Sequence, residues 1–356
     1  MPLSAALGVL SWALVRAFQN RWLCWGLLPS LAAAVGFICS CTILETLLTF
    51  SFMDRYMVRY PSAPPAPGAP AEKKDATRRD LFTKLQQRIS WWTQLRSSLY
   101  QVLGPLNVIG IAVNAYLLPL AGAVTPLDAP RTPEGYHPLS IFGVSGFVPI
   151  AHPVGKLLTQ LDIRVATGVR SLLAAIDPTS ASVGAEELSG LLPTFTTHVI
   201  QFFFMMLIAD FFLYWGHRLQ HDIEYAWKHF HSLHHQLSTP TPVGTAFIDN
   251  TDALLQAGLP LILTGLIVRP HPVTLWLYMA FHLTNNALNH SGLECWWINL
   301  IALKWLPMRS GNSHHDTHHR FSHYGKNAKN YAEMFWLWDY VFGTYSDGAM
   351  KLVKVG

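Results

Sequence analysis

Histidine spacing constrains this chain more than any other feature. Between Asp210 and Gln236, DFFLYWGHRLQHDIEYAWKHFHSLHHQ, six histidines occur. His217 and His221 stand four apart, and His231, His234 and His235 stand at i, i+3, i+4. On a helix both spacings stack side chains on one face, a turn apart, where imidazoles can converge on one ion. His315, His318 and His319 repeat the second pattern, with His314 beside them. His282 and His290 lie eight apart, two turns along a helix. A single such pair is ordinary surface or core chemistry. Several groups in one chain point to metal, for which histidine is the commonest ligand.

The rest of the chain says where such a site sits. Of 356 residues, 51% are hydrophobic and 13% charged, whereas soluble domains carry about 25% charged residues. The deficit indicates a membrane protein. A net charge of +4, dispersed among apolar runs, argues against a nucleic-acid partner. Cys24, Cys39, Cys41 and Cys295 form no disulfide framework, and no basic region precedes the first apolar run to mark a cleaved signal peptide.

Five regions follow in order. Residues 1–60 hold an apolar stretch interrupted by Arg16 and an uncharged run at 23–44, long enough to cross ~30 Å of hydrocarbon. Residues 61–97 read as a Pro-rich, charged linker. Residues 98–192 contain a second spanning candidate at 102–124 and an interfacial or luminal region, with an apolar helical stripe from Leu158 to Ile176. Residues 193–345 form the histidine-bearing domain, with a third span at 193–216 and a tilted or re-entrant hairpin at 253–269 and 272–289; residues 346–356 are a tail. The predicted fold is all-α, an integral membrane helical bundle with a histidine-rich di-metal cap. Parity brings all the histidine groups to one face. That side carries 18 of the 25 Lys and Arg residues, which makes it the cytosol by the positive-inside tendency.

Ten candidate ligands result: His217, His221, His231, His234, His235, His282, His290, His315, His318 and His319, with His229, His314 and His323 as spares. One ion takes four to six ligands, so ten imidazoles suit two ions. No HExxH or Glu-x-x-His pair is present, which argues against a zincin and a carboxylate-bridged di-iron bundle. Imidazole suits iron, zinc and copper alike; iron is favoured because a redox-inert ion does little for a buried lipid. Asp210, seven residues before His217 inside an apolar span, either accepts the ring N–H of a ligand histidine or reaches Arg218 and lines a polar cavity. Asn286, midway between His282 and His290, either orients a water or satisfies a packed polar contact.

DFFLYWGHRLQH, HSLHH, NHSG at 289–292, HHDTHH at 314–319 and WDYVFGTY at 338–345 together resemble the fatty acid hydroxylase superfamily, most closely its sterol branch. The resemblance implies a membrane enzyme of the endoplasmic reticulum. Two non-haem iron ions facing the cytosol would activate dioxygen to attack a C–H bond of a lipid or sterol. It also implies NAD(P)H-derived electrons, passed through a separate reductase and a b-type cytochrome. AHPVG at 151–155 is only faintly similar to a b-type haem loop and lacks its partner histidine, so the donor is expected to be a separate protein. Two other readings compete. A desaturase would use the same centre, and a histidine-rich metal transporter would place ligands at mid-membrane.

Overall fold

The computed structural model describes residues 20–57, 88–121, 135–141, 144–176, 195–322, 324–325 and 327–346. The N-terminal apolar stretch to residue 19, most of the Pro-rich linker, His323 and all but the first residue of the 346–356 tail lie outside them. The described residues are overwhelmingly helical, and the architecture is that of a membrane helical bundle. Four segments are long and apolar enough to cross a membrane: Trp22–Thr49, Trp91–Leu120, Thr196–Asp222 and Asn250–Val268.

A π-helical turn, Trp22–Leu27, leads into α1 (Leu28–Thr49), and a 3-10 turn follows at Ser51–Tyr56. α2 (Trp91–Leu103) starts at Ser90, whose hydroxyl accepts from Thr93 N. It breaks at Gly104 before α3 (Pro105–Leu120), because Pro105 has no N–H to continue the ladder. β1 (Tyr136–Ile141) and β2 (Val144–Pro149) pair antiparallel, the only sheet among the described residues. α4 (Pro153–Ile176) covers the stripe read from the sequence. Then come α5 (Phe195–Asp222), α6 (Glu224–His229) and a 3-10 turn at His231–Gln236. α7 (Asn250–Ala253), a π turn at Leu254–Gly258 and α8 (Leu259–Val268) form the fourth span. α9 (Pro272–Ser291), α10 (Trp296–Ile301), α11 (Asn312–Phe321) and α12 (Trp336–Val341) complete the chain.

The described residues divide into two compact units, whose outer bounds follow. One comprises residues 1–31, 110–206 and 262–278. Within it Trp276 Nε1 donates to Cys24 O at 2.8 Å, and the Thr196 hydroxyl donates to Asp162 Oδ1 at 2.9 Å. The other comprises residues 32–109, 207–261 and 279–356 and holds every predicted ligand. Its apolar core gathers Phe37, Leu44, Met53, Leu293 and Ile298. α1 and α9 touch backbone to backbone there: a Cβ on Gly36 would stand 2.5 Å from Ala280 O. Small residues permit such contact where lipid provides no hydrophobic drive between helices.

Candidate metal centre

α5 runs without a break through Gly216 and presents His217 and His221 one turn apart. A Cβ on Gly216 would stand 2.2 Å from Leu255 O, so this glycine lets α5 lie directly against the π turn that follows α7. That approach matters because α7 carries Asp252. Asp249 caps α7 by accepting from Thr251 N at 2.8 Å. Asp252 Oδ2 then accepts the Nδ1–H of His231 at 2.9 Å, with both side chains wholly buried.

The histidines gather into two groups. In each, the ligating atoms lie within 4.8 Å of one another: His217, His221, His231, His235 and His318 in the first, and His234, His290, His315 and His319 in the second. All nine are buried, none more than 7% exposed. The two triplets do not each present one face to one ion, as α-helical spacing suggests. In the 3-10 turn, His231 and His235 join the first group and His234 the second; on α11, His315 and His319 join the second and His318 the first. Each i, i+4 pair serves one group and the i+3 residue crosses to the other. The His235 and His319 rings stack where the groups meet, with centroids 4.9 Å apart.

Hydrogen bonding fixes the tautomers. A carbonyl oxygen can only accept, so a ring nitrogen against one must carry the proton. His217 Nδ1 donates to Tyr331 O at 2.7 Å, His318 Nδ1 to Lys329 O at 2.6 Å, His290 Nδ1 to Asn286 O at 2.8 Å and His234 Nδ1 to Phe247 O at 3.3 Å. On a neutral ring the opposite Nε2 is then a bare lone pair. His217 Nε2 is buried with no hydrogen-bond partner. The Nε2 atoms of His234 and His290 face each other at 3.4 Å. Two buried lone pairs at that distance repel unless a cation lies between them. A proton is a poor candidate, because burial lowers the His234 pKa. Burial, reinforced by neighbouring imidazoles, also holds His231, His235, His315, His318 and His319 well below the ordinary histidine range. Neutral rings are what metal binding requires. The Nε2–Nε2 separations, 3.1 Å for His231–His235 and His290–His315 and 3.2 Å for His235–His318, match the spacing of neighbouring ligands around an ion with bonds of about 2.1 Å. The donors present fit two metal ions.

The tenth candidate, His282, is buried but belongs to neither group. Asn286 touches His290 through its backbone oxygen, not its amide. Asp210 contacts no ligand ring. Its carboxylate accepts from Glu333 N (3.0 Å), Met334 N (2.8 Å) and Phe335 N (2.8 Å). The preceding two N–H groups, of Tyr331 and Ala332, go to Asp339 at 2.8 and 3.0 Å. Two buried carboxylates thus hold five consecutive amides of the segment whose Tyr331 carbonyl orients His217. Asp339 also takes the Nε2–H of His314 at 3.1 Å, which keeps that spare histidine out of the centre. His229 is exposed.

Asp252 and Asp339 have roles the spacing did not reveal. Asp252 could have been found, since it opens an apolar run as conspicuously as Asp210 interrupts one. Removing its carboxylate frees the His231 ring. Asp252→Ala is expected to weaken metal binding 10–100-fold, the range typical of outer partners of ligand histidines, as read by titration against a competing chelator.

Comparison with known proteins adds family context. A family model described as fatty acid hydroxylase matches residues 202–344. The chain is 35% identical over 156 residues to a very-long-chain aldehyde decarbonylase of Oryza sativa subsp. indica, covering 44% of this chain and 56% of that protein. It is 31% identical over 190 residues to methylsterol monooxygenase 2-2 of Arabidopsis thaliana, covering 53% and 68%. Against methylsterol monooxygenase 2-1 of the same plant it is 30% identical over 199 residues, covering 53% and 71%. The match thus spans little more than half of the decarbonylase. No solved structure matches.

Proposed function

The chain belongs to the fatty acid hydroxylase family, and from that premise we propose that it is a membrane-bound non-haem di-iron oxygenase that oxidises a sterol. One observation carries the proposal: two adjoining groups of buried imidazoles, with the Nε2 atoms of His234 and His290 aimed at each other. Iron bound there would supply the activation of dioxygen for attack on an unreactive C–H bond. The chain's own groups keep the ligands ready. Asp252 orients His231, the carbonyls of Tyr331 and Lys329 orient His217 and His318, and burial excludes bulk water. The higher coverage of the methylsterol monooxygenases favours a sterol as substrate. The distribution of Lys and Arg supports a centre facing the cytosol, and the family supports a multi-pass protein of the endoplasmic reticulum. There a b-type cytochrome and its reductase would deliver electrons from NAD(P)H.

Purified protein is expected to hold two irons per chain and, with labelled dioxygen, to place labelled oxygen in a sterol that accumulates in cells lacking the protein. Iron-free but folded protein, or accumulation of no lipid, would remove the proposal. A product that has lost hydrogen without gaining oxygen would make it a desaturase. The decarbonylase relatives favour a second reading, in which the same centre acts on a very-long-chain aldehyde. Accumulation of such aldehydes in place of sterols would select it.

A further inference from the structure

α10 and the turn after it are apolar on the side away from the protein. Trp296, Leu300, Ile301 and Trp305 are 74%, 55%, 66% and 63% exposed. The opposite face is apolar as well, with Ile298 and Ala302 packed into the core beside Leu293 and Cys295. Immersion of a crossing helix does not account for this exposure, because α10 has six residues and is none of the candidate spans. A soluble surface does not account for it either, because monomeric proteins rarely leave contiguous aromatic and aliphatic patches in water.

The neighbouring element identifies what covers the patch. α1 is a candidate crossing helix that ends at Thr49, and the chain continues directly into Phe50 and Phe52, 49% and 56% exposed and stacked with ring centroids 5.7 Å apart. Arg55, also exposed, lies on the same 3-10 turn. Tyr56 O accepts from Glu294 N at 2.7 Å, and Met57 forms a β-bridge with Leu293. The end of a span is thereby bonded to the residues that start α10. Tryptophan and phenylalanine at the level where a helix leaves the hydrocarbon, with a cation beside them, match the chemistry of the headgroup boundary.

We infer that Trp296–Trp305, together with Phe50 and Phe52, forms a monotopic face seated in the interfacial layer of the bilayer. In the chain α10 lies between α9, which supplies His290, and α11, which supplies His315, His318 and His319. Seating α10 in the interface therefore holds both ligand-bearing helices beside the lipid. The inference rests on the membrane architecture alone, so it survives if the oxygenase reading fails.

The test is spin labelling of the full chain in phosphatidylcholine nanodiscs. The label goes at Ile301→Cys in a Cys39→Ala background, since Cys39 is the exposed native thiol and Cys24, Cys41 and Cys295 are buried. Relaxation by dissolved oxygen is compared with relaxation by a water-soluble nickel chelate. The label is expected about 5–10 Å inside the headgroup–acyl boundary, as for an interfacial helix, with oxygen dominating. Trp305→Cys should report the same layer, and Lys228→Cys, on exposed α6, should report water. Nickel-dominated relaxation at positions 301 and 305 would overturn the inference. So would shielding from both reagents, which would mean that another protein surface covers the patch. An unchanged melting curve in each variant excludes misfolding as the cause.

Discussion

His318→Ala is expected to abolish turnover and to lower bound iron, while the protein still purifies as a folded species. Its Nε2 stands 3.2 Å from His235 Nε2 in the first group, and its Nδ1–H is fixed by Lys329 O. Of the two spare histidines among the described residues, His314 is tied to Asp339 and His229 is exposed. His234→Ala should do the same to the second group. The loss should exceed the roughly 100-fold upper range seen when only an outer partner is removed. Metal analysis alongside kinetics provides the check. Full iron content with full activity in either variant would remove that residue from the ligand set.

Asp210→Ala should have the largest effect on stability. It leaves the N–H groups of Glu333, Met334 and Phe335 buried without their acceptor. At about 1–3 kcal/mol for each unsatisfied donor, the combined cost approaches the ~5–15 kcal/mol that separates most folded domains from their unfolded state. Thermal unfolding in detergent should show a large drop or no cooperative transition. Asp210→Asn should fall between, since one amide oxygen replaces two carboxylate oxygens before three donors. A melting curve for Asp210→Ala equal to that of the parent would show that residues 333–335 find other acceptors.

Much of the centre was legible in the sequence, for a specific reason. Ligand type has a residue signature, and i, i+3, i+4 spacing survives whether the local turn is α or 3-10. The division of each triplet between two groups was not legible, because it depends on where the 3-10 turn and α11 lie in relation to each other. His282 shows the limit of counting turns. Eight residues advance a helix by about 12 Å and leave the side chains about 80° apart, too far for His282 and His290 to share a cluster 4.8 Å wide. The role of Asp210 was misread for a related reason. A carboxylate in an apolar run signals a buried partner, but main-chain amides leave no trace in composition, so the two readings open to the sequence were a ligand histidine and Arg218 with a polar cavity. The all-α membrane architecture was plain from the apolar runs, with β1 and β2 a small addition.

Four ligand rings are oriented by main-chain oxygens, those of Phe247, Asn286, Lys329 and Tyr331. Every residue type carries such an oxygen, so those positions can drift in identity without disturbing the rings they steer. Sensitivity to sequence change is displaced onto Asp210, Asp252 and Asp339, where a side chain does the holding. Sequence variation around this centre should therefore be uneven, permissive at the steering positions and sharply restricted at three aspartates that belong to neither histidine group.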